Sequence, residues 1–106
     1  MSKYLNRKVT IDGRKFDSKK EANRYLVLKD LESRGAISGL SLQVPFVLID
    51  KSEHGRAIKY IADFVYIEGF EMVVEDVKSN YTRKNPLYRL KKRLMAERYK
   101  IQIREV

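Results

Sequence analysis

"AIKYIADFVYIEGFEMVVEDVKS", residues 57–79, decides how this chain is read. Two apolar runs, "AIKYIADFVYIE" and "EMVVEDVK", flank Gly69, the pattern of a β-hairpin. Yet Asp63 interrupts the first run, and Glu75, Asp76 and Lys78 crowd the end of the second. Charged groups in an apolar strand are costly unless something pairs with them. Side chains alternate along a strand, so Ile61, Asp63, Val65 and Ile67 share a face. Met72, Val74, Asp76 and Lys78 likewise share one face of the second strand, and Val73, Glu75 and Val77 the other. With the strands paired, Asp63 and Asp76 come together at the open end of the sheet. Lys78 follows one pleat along. Glu75 faces away and reads as a partner for a basic side chain on the outer face.

Working outward, "VTIDGRKFDS" is a short hairpin with a tight Asp12-Gly13 turn. "SKKEANRYLVLKDLESRG" is a helix with Ser18 as N-cap and Gly35 as its stop. "AISGLSLQVPFVLID" alternates Leu40, Leu42, Val44, Phe46 and Leu48 as a strand, and Pro45 places it near an edge or bulge. "KSEHGR" and "SNYTRK" read as loops. "NPLYRLKKRLMAERY" is a second helix, with Asn85 as N-cap and Pro86 at its first position. "KIQIREV" closes as a strand with Ile101 and Ile103 on one face. The order helix, three strands, helix, strand, behind a small hairpin, predicts an α/β layered domain with a mixed sheet. The closing strand follows a helical crossover and is expected parallel to a central strand.

A chain of 106 residues suits one domain, 1–106. With no cysteine and only His54, disulfides, a cysteine nucleophile and a multi-histidine zinc site are excluded. No stretch approaches the ~18 uninterrupted apolar residues of a membrane span. "MSKYLNRKVT" lacks the apolar segment of a secretory signal, so a soluble cytoplasmic protein is expected. The net charge of +9 is uneven. Residues 1–36 and 78–106 each hold 10 Lys or Arg against 5 and 2 acids, whereas residues 37–77 hold 3 against 7. Basic flanks attract phosphate backbones, but a protein that merely coats DNA has no use for a knot of carboxylates between them.

Two adjacent carboxylates repel, and one retains a proton. A hard divalent cation removes that conflict, and Mg²⁺ prefers one or two carboxylates, waters and a phosphate. A lysine beside it would orient the nucleophile or neutralise developing charge. Asp63, Asp76 and Lys78 therefore match metal-assisted phosphodiester hydrolysis. Glu21 projects from the apolar face of the first helix towards the sheet, yet Ser18-x-x-Glu21 also fits a capping box that would occupy it with backbone.

"IADF" with Asp63, followed by "VVEDVKS" with Asp76 and Lys78, resembles the signature of the PD-(D/E)XK nuclease superfamily. "SKKEANRY" supplies the helical Glu21 that joins the site in many of its members. More narrowly, "FDSKKEANRYLVLKDLESRGAISGLSLQ", "YIADFVYIE" and "VVEDVKS" resemble a small phage- and prophage-encoded family of nuclease-like domains, over roughly residues 9–106. Ala62 stands where a proline often precedes the first Asp. The resemblance implies a restriction-endonuclease-like core, α-β-β-β-α-β. It implies that Asp63 and Asp76 hold Mg²⁺ (with Mn²⁺ as a substitute), Lys78 assists the water and Glu21 supports the metal.

Gln43 lies off the Leu40–Leu42–Val44 face, and reaches either the metal site or a phosphate, or else hydrogen-bonds a neighbouring loop. Lys91 sits between Leu87 and Leu94 on an apolar stripe, and either snorkels or touches the scissile phosphate. Arg83, Lys84, Arg89, Lys92 and Arg93 read as phosphate-backbone contacts beside Lys78, with Tyr81 and Tyr88 as stacking surfaces. The expected function is a metal-dependent DNA endonuclease selective for branched DNA or junctions, since so small a chain leaves little room for sequence readout. A homodimer would suit paired cuts. The alternatives are a nucleic-acid-binding module that does not cut, and a structural or regulatory protein of a phage particle or replication complex.

Overall fold

The computed structural model describes residues 8–106; the first seven, read above for a secretory signal, lie outside that range. Val9–Ile11 (β1) and Arg14–Phe16 (β2) form the expected antiparallel hairpin. Its two-residue turn places Asp12 at φ 54° and Gly13 at φ 75°, the left-handed pair that such a turn requires. Helix α1, Lys19–Ser33, begins at Ser18, whose side chain accepts the Glu21 backbone N–H at 3.1 Å. It stops at Gly35, where φ is 80° and the next N–H, of Ala36, closes onto the Leu31 carbonyl at 2.9 Å.

Ser38–Ile49 (β3), Ile58–Glu68 (β4) and Glu71–Asp76 (β5) form an antiparallel meander. Arg104–Glu105 (β6) joins parallel to β5, giving the order β3-β4-β5-β6. The protein is thus α/β, with a mixed four-stranded sheet and a separate small hairpin. Pro45 lies on β3, an edge strand, where a missing N–H is tolerated.

Three local expectations need correction. "KIQIREV" is strand only at Arg104–Glu105, and buried Ile103 packs with Tyr88 and Met95. "SNYTRK" contains a one-turn helix, α2 (Asn80–Arg83), held by Ser79 and Thr82, each of whose hydroxyls accepts the other's backbone N–H. On α3, Pro86–Tyr99, the buried residues are Tyr88 and Met95. Leu87, expected on the apolar stripe, is 58% exposed.

The core divides in two. Ala22, Tyr25 and Leu28 of α1 pack with Phe64, Tyr66 and Val73. Met95 and Tyr88 of α3 pack with Tyr60, Ala62, Val65 and Val74. The division cuts across strand alternation. Leu40 and Leu42 join the α1 cluster, while Val44 and Phe46, of the same parity, join the α3 cluster. Ala62 and Phe64 separate in the same way. The change falls at Gln43 and Asp63, and Gln43 has φ 53°. A left-handed residue in a strand breaks the pleat and re-aims the side chains around it.

Candidate functional site

Beside Asp63 lies a cleft of about 790 Å³. Its walls are the start of α1, the open end of β4 and β5, and the start of α3. Asp63, Asp76, Lys78, Glu21 and Lys91 all line it.

The β4–β5 register explains the first pair. Phe64 stands opposite Glu75, so one step further Asp63 stands opposite Asp76. The ladder ends there, and Asp63 fills the gap: its Oδ2 accepts the Val77 backbone N–H at 2.9 Å. Asp76 is 4% exposed. Its Oδ2 accepts the Tyr60 hydroxyl at 2.7 Å, and its Oδ1 lies 3.2 Å from Lys78 Nζ. Burial, a hydrogen bond shared with Asp63 and that neighbour's charge push the Asp76 carboxyl up to about 7. The Tyr60 hydroxyl and the Lys78 charge pull the other way without prevailing.

Lys78 is held from two directions. Its ammonium sits 4.2 Å from the centre of the Tyr88 ring, a cation–π contact. Its carbonyl accepts Lys20 Nζ at 2.6 Å. The tyrosine ring thus backs the lysine rather than offering a stacking surface: Tyr88 is buried, and its hydroxyl donates to Glu105 at 2.6 Å. Tyr81 is 86% exposed and stays open to solvent.

Gln43 ties Glu21 to the strand pair. Its amide donates to Asp63 Oδ1 and to Glu21 Oε2, both at 3.3 Å. Glu21 is buried, and its carboxyl is raised by that burial first and then by the charge of Asp17. The cap half of the S-x-x-E pattern forms through Ser18, while the Glu21 side chain turns to Gln43. The loop alternative for Gln43 therefore gives way to the carboxylate cluster.

Among the described residues no three Asp, Glu, His or Cys side chains form a ready-made metal cage. A hard cation of the Mg²⁺ type needs only one or two carboxylates, with waters and a phosphate completing its shell. Asp63 and Asp76 fit that donor set: they are adjacent, all-oxygen, and their mutual repulsion is what an ion would relieve. Glu21, linked through Gln43, is suited to holding a water of that shell.

The basic residues divide. Arg83, Lys84, Arg89, Lys92 and Arg93, expected beside Lys78, line a second groove of about 610 Å³. On α3, helix periodicity separates them from Lys91, since at ~100° per residue Arg89 and Lys91 point to nearly opposite sides; Arg83 and Lys84 come from the end of α2. Glu75 is fully buried beneath α1 rather than on an open outer face. It does take a basic partner: Arg24 donates to both its oxygens, at 2.8 and 2.5 Å, and the Tyr66 hydroxyl donates as well. That pairing raises the Arg24 guanidinium further.

Tyr60 and Lys20 were not legible as site residues. A tyrosine in an apolar strand reads as core, and Lys20 reads as helix surface. Only the fold brings them to Asp76 and to the Lys78 carbonyl.

No curated protein and no solved structure matches the chain. A family model described as "Protein of unknown function (DUF1064)" matches residues 1–105, and the chain belongs to that family.

Proposed function

We propose that this protein is a metal-dependent DNA endonuclease with a restriction-endonuclease-like core. The observation that carries the reading is the pairing of Asp63 with Asp76 at the end of the β4–β5 ladder, with Lys78 Nζ 3.2 Å from Asp76 in one cleft. A structural ion pair has no need of a second carboxylate there, or of a third held by Gln43. The element order, with three meander strands between α1 and α3 and a parallel closing strand, also supports it.

Mg²⁺, when bound, would supply Lewis acidity to the scissile phosphate and lower the pKa of the attacking water. Asp63 and Asp76 would hold it. Lys78, fixed by Tyr88, would orient the water or meet the charge that develops on phosphorus oxygens. Tyr60 keeps Asp76 aimed into the cleft. Gln43 keeps Glu21 and Asp63 in register. Lys91, on the cleft wall, would touch the phosphate.

The preferred substrate is branched DNA, because so short a chain has few elements left for reading bases. A homodimer would deliver paired cuts, and a monomeric mass at micromolar concentration would remove that part. The test is incubation with linear, nicked, flapped and four-way DNA, with Mg²⁺ or Mn²⁺ and with EDTA. Metal-dependent cleavage is expected, strongest on branched forms. Intact DNA throughout would overturn the reading in favour of a binding module that does not cut.

A further inference from the structure

The two grooves lie back to back, and α3 is the ridge between them. Tyr88 and Met95 face the core, so at ~100° per residue Leu90 stands on the opposite crest. Leu90 is 53% exposed. One flank of the ridge turns Leu87 and Lys91 to the carboxylate cleft. The other turns Arg89, Lys92 and Arg93 to the second groove.

That second groove is built for a polyanion. Glu105 is its one carboxylate among five cations. It is already engaged by Tyr88 at 2.6 Å, Lys92 at 3.1 Å and Arg83 at 3.3 Å. Burial would raise its pKa, but the hydrogen bonds from Tyr88 and Lys92 outweigh that and lower it, so Glu105 stays a satisfied anion. Lys84 and Arg89 have no carboxylate within 4.0 Å among the described residues, and exposed Arg93 reaches Glu97 only at 4.0 Å. Like charges spaced i, i+3 and i, i+4 weaken a helix. Arg89 and Arg93, an i, i+4 pair, accept that cost with no carboxylate nearer than 4.0 Å among the described residues.

We propose that α3 enters the major groove of duplex DNA, with the carboxylate cleft on one strand and the basic groove on the phosphates of the other. The inference rests on reading the cleft as a DNA site. A helix is ~10–12 Å across, and the B-DNA major groove is ~12 Å wide and admits one. Exposed Leu90, on the crest, then lies against the groove floor rather than water. Glu97, further along the crest, marks where the ridge leaves the phosphates. The same geometry rejects A-form RNA, whose major groove is too narrow for side chains to read.

The test is fluorescence anisotropy in EDTA with a labelled 24-base-pair DNA duplex and an RNA duplex of matching sequence, across a salt series. The expected result is binding to DNA at least tenfold tighter than to RNA. Arg89→Ala/Arg93→Ala should weaken DNA binding about tenfold or more and reduce the slope of log affinity against log salt by about two. Circular dichroism of the variant checks that it is folded. Equal affinity for RNA, no binding to DNA, or an unchanged salt slope in the folded variant would each overturn the proposal. Because EDTA removes cleavage from the readout, this outcome is independent of whether the protein cuts.

Discussion

The Tyr60 hydroxyl donates a 2.7 Å hydrogen bond to Oδ2 of Asp76, joining a strand residue to a carboxylate sixteen positions along the chain. Both groups are buried. The bond favours the ionised carboxylate and opposes the burial that favours the proton. Tyr60→Phe should therefore raise the pKa of Asp76 further. The acid limb of the pH–rate profile for DNA cleavage should move to higher pH, with little change in rate on the alkaline side. A uniform loss at every pH would mean that Tyr60 acts on packing alone.

Asp76 also makes stability depend on pH. Its folded pKa, about 7, lies above the ordinary 3.8, so the folded state holds the proton more tightly than the unfolded chain. That stabilisation is full below about 3.8 and is lost as pH rises through 7. Without metal, wild-type protein should lose several degrees of Tm between pH 5 and pH 8 relative to Asp76→Asn. Adding Mg²⁺ at pH 8 should raise the Tm of wild type and leave the variant unmoved. Thermal melts in EDTA and in Mg²⁺ read both effects.

Lys78 is fixed over the Tyr88 ring and beside Asp76, so its charge is available at one place only. Lys78→Ala should lower the rate of cleavage by about 10²–10³-fold, the usual cost of removing one transition-state charge partner. Binding of uncut DNA in EDTA should weaken by no more than a few-fold. Equal losses in binding and rate would assign Lys78 to ground-state attraction.

The Arg24–Glu75 pair belongs to the scaffold rather than the site. Glu75 is fully buried, and Arg24 supplies both charge-assisted bonds. Arg24→Ala leaves that carboxylate without its counter-ion and should cost about 3–5 kcal/mol. In a domain of this size that is a fall in Tm on the order of 10 °C or more. A variant melting within two or three degrees of wild type would show that Tyr66 suffices to hold Glu75.

Much of this was legible in the sequence because alternation and capping are local rules. Asp12-Gly13, Ser18 with Gly35, and Asn85-Pro86 set their boundaries without help from the rest of the chain. The pairing of Asp63 with Asp76 followed from parity and from their similar distances to the one hairpin turn at Gly69. Failures began where the pattern depends on partners far along the chain. Gln43 is left-handed inside β3, and nothing about a glutamine announces that. The change of face beside it separates Ala62 from Phe64. The basic residues after Lys78 divide between two grooves for a different reason. Neighbours in sequence on a helix point apart, so Lys91 reaches the cleft while Arg89 and Arg93 serve the groove behind it.

The most direct test of the carboxylate cleft is cleavage of four-way and linear DNA by wild type and by Asp76→Asn, with Mg²⁺ present and binding measured in parallel. Metal-dependent cutting by wild type, abolished in a variant that still binds DNA, is the predicted result. Cutting that survives Asp76→Asn, or wild-type protein that binds DNA and leaves it whole in Mg²⁺ and Mn²⁺, would contradict it.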